Sequence, residues 1–207
     1  MNWLEQLLRP KPLSQEDRDF FDACKAFSTA KQIWQDAVKI KGEGWRERQL
    51  SKIEEALKYF DQAIKKGLVE QSVFHHGFDA AEAFSLRGSC LNDLGFYFEA
   101  LEDYNEAIKR KPRKGIAHNY PMRSMIKDLL FDLEGSLADL KEALLLSQLR
   151  NDDNTYWNKY AQSTGFHSQT AFYEMSLPTE EEVAWKKGAY SHEDVVQRLR
   201  NIKRKEL

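Results

Sequence analysis

AEAFSLRGSCLNDLGFYFEALEDYNEAIKRKPRK, residues 81–114, contains two amphipathic helices and the turn between them. In the first helix Phe84, Gly88 and Leu91 share one side, and Gly95 stops it. In the second, Ala100, Tyr104 and Ala107 follow the i, i+4, i+7 spacing of a single helical face, and Pro112 closes the unit. Small residues let two backbones approach, while the large residue between them fills the groove beyond. The stretch therefore predicts a tightly crossed helical hairpin.

The same face recurs on both sides of it. Upstream, Ala56, Phe60 and Ala63 repeat the spacing; downstream, Ser136, Leu140 and Ala143 do so. Three hairpins are predicted, at about 15–67, 79–112 and 115–148, with the insertion LVEQSVFHHGF (68–78) between the first and second. The first opens with a long helix, capped by Ser14 with Asp17, whose apolar stripe runs through Phe20, Cys24, Phe27, Ala30, Trp34, Ala37 and Val38. Gly42 and Gly44 mark the turn into a second helix starting at Trp45. The third keeps Tyr120, Arg123, Ser124, Ser136, Leu140 and Ala143 but lacks the turn glycine and the final proline.

Residues 81–114 resemble a tetratricopeptide repeat, with Phe84 at the large aromatic position, Gly88 at the close contact, Gly95 and Tyr97 at the turn, then Ala100, Tyr104, Ala107 and Pro112. The resemblance implies an all-α fold, a right-handed superhelix of about three such hairpins with capping helices at both ends. It also implies a concave surface, lined by the first helix of each hairpin, that binds a peptide or partner protein. That surface would present Glu82, Ser85, Ser89, Asn92 and Asp93 from the middle copy and His118, Pro121, Met125 and Asp128 from the third. This is not the Lys and Asn set with which some members of the family clamp a C-terminal carboxylate. A neutral-to-acidic groove suits a partner of basic or mixed character.

Composition agrees with a binding role. Lys and Arg number 31 against 33 Asp and Glu, so no global field draws in nucleic acid or anionic lipid, and nucleic-acid binding is not expected. No run approaches the roughly 20 apolar residues of a membrane span. The two cysteines, Cys24 and Cys90, lie on helical apolar patterns and suit reduced thiols, so the cytoplasm is the expected location.

No residues converge on a catalytic, cofactor or metal site. His75 and His76 have no Cys or carboxylate at ligand spacing, and His192 with Glu193 is followed by Val196 where a zinc protease needs its second ligand. The chain is read as an interaction module or scaffold, not an enzyme. The alternative is a docking or regulatory subunit of an enzyme or transcription complex, with the aromatic C-terminal segment as an autoinhibitory or partner-binding element.

Two end segments complete the chain. Residues 1–13 carry a short apolar helical stripe, Trp3, Leu4, Leu7 and Leu8, suited to docking on the array or on a second subunit, which allows a homodimer. Residues 149–207 carry helix starts at Thr179 with Glu182 and at Ser191 with Asp194, before a basic end. Tyr156, Trp157, Tyr160, Phe166, Phe172 and Tyr173 would cap the exposed end of the array.

Overall fold

The computed structural model of the chain describes residues 14–67, 79–110, 116–150, 162, 165 and 169–203. Those residues are helical, with no strand among them. The helices are α1 (Gln15–Ala37), α2 (Trp45–Gly67), α3 (Ala80–Asp93), α4 (Tyr97–Lys109), α5 (Ile116–Leu129), α6 (Leu133–Arg150), α7 (Gln169–Ser176), α8 (Glu180–Ala189) and α9 (His192–Arg200). Pro112, His75, His76 and residues 1–13 fall outside the described residues, as do Tyr156, Trp157, Tyr160 and Phe166.

Each helix from α1 to α7 packs closely on the next. The expected faces carry that packing. Ala56, Phe60 and Ala63 in α2 are fully buried, as are Ala100, Tyr104 and Ala107 in α4. In α6, Ala143 is fully buried, Ser136 is nearly so, and Leu140 is half-buried. Phe27 of α1 meets Phe60 of α2 with ring centroids 6.1 Å apart. The buried stripe of α1 runs through Ala23 and Ala26 as well as Phe27, Ala30 and Ala37, while Val38 is exposed at its C-cap. Val38 follows the last residue of the helix, Ala37, which is fully buried.

Close approach at Gly88 has a direct measure. A Cβ added there would stand 3.3 Å from both the Cβ of Asp103 and the ring of Tyr104. In the third hairpin the corresponding residue is Ser124, and Leu140 replaces the tyrosine; the space released is used by a Ser124–Ser136 hydroxyl hydrogen bond of 2.9 Å. The turns match too. Gly95 ends α3 with φ +84°, and Phe131 adopts φ +63° at the same place after α5. A bulky residue is strained there, whereas glycine is not.

A second relation concerns the first helices. Besides its sequential neighbours, α1 touches α3, and α3 touches α5. No two second helices come as close among the described residues. Capping boxes form at all three anticipated sites, Ser14 with Asp17, Thr179 with Glu182 and Ser191 with Asp194.

Candidate protein-binding surface

The row α1, α3, α5 is held together by polar side chains, and some of the residues expected to meet a partner are used in this way. Lys31 of α1 donates to Glu82 of α3 at 2.6 Å. Ser85 of α3 is buried and donates to Asn119 of α5 at 2.5 Å. Ser89 donates to the Ser85 carbonyl at 3.2 Å and lies 3.0 Å from the Tyr104 hydroxyl of its own hairpin. Pro121 is buried within α5. Ser85 and Pro121 are therefore interior residues, a correction to their expected place on the surface. A helix with neighbours on two sides buries a wider arc than the one stripe that its period reveals.

The others stay accessible to differing degrees. Asp93 is exposed, Asn92 half-buried and Met125 exposed at 54 %. Crowding by surrounding protein raises the Asp93 carboxyl above its ordinary value, with Arg46 opposing the rise. Burial lowers the His118 imidazole to about 4 and keeps it neutral. Asp128 accepts a 2.7 Å hydrogen bond from Lys186 of α8.

Between the hairpins lies a feature that the motif reading did not single out. Arg87 of α3 forks onto Asp103 of α4, from Nε at 2.8 Å and Nη2 at 2.6 Å, while its Nη1 donates to Asp61 of α2 at 2.9 Å. Arg123 of α5 forks onto Asp139 of α6 at 2.8 and 2.5 Å, and its Nη1 donates to Asn105 of α4 at 2.8 Å. Each arginine thus ties its own second helix to the second helix of the preceding hairpin. Each also stacks on an aromatic ring one turn earlier, Arg87 over Phe84 and Arg123 over Tyr120, both at 5.4 Å. The signal was present in sequence, since Arg87 precedes Asp103 by the same 16 residues that separate Arg123 from Asp139.

The ladder stops at α6. Asp61 and Asn105 lie two residues before Ala63 and Ala107, and the matching place before Ala143 holds Lys141, which is exposed and cannot accept from another arginine. Instead α7 covers the end of α6, through Ser147 and Thr170 at 3.1 Å and the buried Ala171.

Neither thiol is activated. Both cysteines are free, Cys90 buried and Cys24 half-buried. Desolvation pushes both thiols up, and the acidic neighbours of Cys90 push it further. No helix among the described residues is long and apolar enough to cross a membrane. No protein-family model matches the chain, nor does any curated protein or solved structure.

Proposed function

We propose that the chain is a tetratricopeptide-like array acting in the cytoplasm as a protein-protein interaction module or scaffold. The observation that carries the reading is the twice-repeated clamp, Arg87 with Asp103 and Asp61, then Arg123 with Asp139 and Asn105. A device that fixes each hairpin against the one before it gives a rigid stack, and rigid stacks of helical pairs offer extended surfaces to partners. The surface proposed is the first-helix side, where Asn92, Asp93, Met125 and Asp128 are at least partly accessible. A partner segment of basic or mixed character suits those carboxylates.

Affinity capture with the full chain at near-physiological salt tests this, alongside an Asp93→Lys, Met125→Glu variant. Proteins captured by the wild type and lost from the variant support the surface. Absence of any associated protein, together with a small molecule that raises the melting temperature, would overturn it.

A further inference from the structure

The last two helices are attached to the array in a different way from the rest. From Glu181 onward no residue whose burial is described is buried, and neither α8 nor α9 joins the closely packed helix pairs. Val183, Val195, Val196 and Leu199 are only half-buried, and cations make the specific contacts to the array. Lys186 meets Asp128 of α5 at 2.7 Å, and Lys187 meets Glu134 of α6 at 2.6 Å. Arg198 of α9 lies over the rings of Phe131 and Tyr190, at 5.7 and 4.7 Å, and those rings meet edge to face. Lys203 then stands 4.5 Å from the ring of Phe96, in the turn between α3 and α4.

Contacts of this kind are solvated, weak one by one and screened by salt. The two helices carry their own capping boxes, which satisfy their first backbone N–H groups without help from the array. The surface beside these contacts has a definite character. Asp128 shares one face of α5 with the exposed Met125 and Leu129, and Phe131 and Glu134 continue the patch.

We propose that residues 179–203 are a built-in ligand for this acidic and apolar patch, displaced by a partner helix that presents Lys and Arg in the same way. The partner half of the proposal rests on the protein-binding reading above; the displaceable strap does not. Tethering places the strap at a high effective concentration beside its site, so an external copy competes poorly until the strap's own cations are removed.

The test uses the full chain and a fluorescent synthetic peptide of residues 179–203. A Lys186→Glu, Lys187→Glu, Arg198→Glu variant should bind the peptide at least about tenfold more tightly than the wild type does, because the tethered competitor is gone. Adding Asp128→Lys and Glu134→Lys should remove that gain. Equal affinity for wild type and triple variant, or a gain that survives the two added lysines, overturns the proposal. So does loss of the cooperative melt in the triple variant, which would make the strap part of the core. Peptide binding as expected with no cellular protein captured keeps the strap and removes the protein-binding reading. Captured proteins indifferent to the triple variant keep the protein-binding reading and overturn displacement of the strap by a partner.

Discussion

Arg123 and Asp139 form a forked ion pair in which the carboxylate is almost fully enclosed, with 4 % of its side chain exposed, and Lys127 reaches the same carboxylate at 3.0 Å. Removing the arginine leaves Asp139 with only the lysine in a site poor in water. Arg123→Ala should destabilise the fold by about 2–4 kcal/mol, as expected for breaking a buried pair. Arg123→Lys should recover only part of this, because one ammonium cannot span Asp139 and Asn105 together. Urea unfolding followed by circular dichroism measures both. A loss under about 0.5 kcal/mol, the size of an ordinary surface change, would remove the clamp from the account of stability.

Gly88 and Ser124 should respond differently to alanine. At Gly88 the new methyl group presses on Tyr104 and Asp103, which are both buried, and overpacking of this kind costs about 1–3 kcal/mol. Ser124→Ala removes one hydroxyl bond to Ser136 and should cost about 1 kcal/mol. A shift in denaturation midpoint without a change in slope would show that each acts on the native state.

His118 sets a pH dependence. Its folded value of about 4 lies below the ordinary 6.5, so the unfolded chain takes up the proton first. The neutral imidazole's contribution is complete above pH 6.5 and is lost as the pH falls from there towards 4. At roughly 1.4 kcal/mol per pKa unit, the loss approaches about 3 kcal/mol. His118→Gln should flatten this part of the stability profile relative to wild type. Parallel profiles for the two proteins between pH 7 and 4.5 would show that another group carries the dependence.

Phe131 couples a strained turn to the strap. Glycine there relieves a left-handed conformation that costs a bulky residue about 1–2 kcal/mol, while the ring under Tyr190 and Arg198 is lost. Phe131→Gly is expected to leave the array as stable as before or more so, and to speed amide hydrogen exchange in α9. Exchange in α9 unchanged, with the array destabilised, would place the ring's role in the hairpin instead.

Much of this molecule is legible in its sequence. The spacing of Ala56, Phe60 and Ala63, of Ala100, Tyr104 and Ala107, and of Ser136, Leu140 and Ala143 marks buried faces, because a helix of 3.6 residues per turn puts those positions on one side whatever it packs against. Capping boxes at Ser14, Thr179 and Ser191 are equally local, since every atom involved lies within one turn. The turns at Gly42, Gly44 and Gly95 follow from backbone conformations open to glycine.

Other features depend on which elements become neighbours in space. Ser85 looks like a surface serine until Asn119 arrives from the next hairpin to satisfy it, and Asp139 is affordable inside only because Arg123 and Lys127 converge on it. Glu82 and Asp128 belong to an exposed row in the helical pattern, yet each has a lysine from a distant helix within hydrogen-bond reach. The chain's own periodicity thus determined the helices, their caps and the faces that bind them into hairpins. Tertiary structure alone decided which polar groups are enclosed and which surface α8 and α9 contact, because those outcomes turn on charges and hydrogen-bond partners far apart in sequence, and helical periodicity carries no information about them.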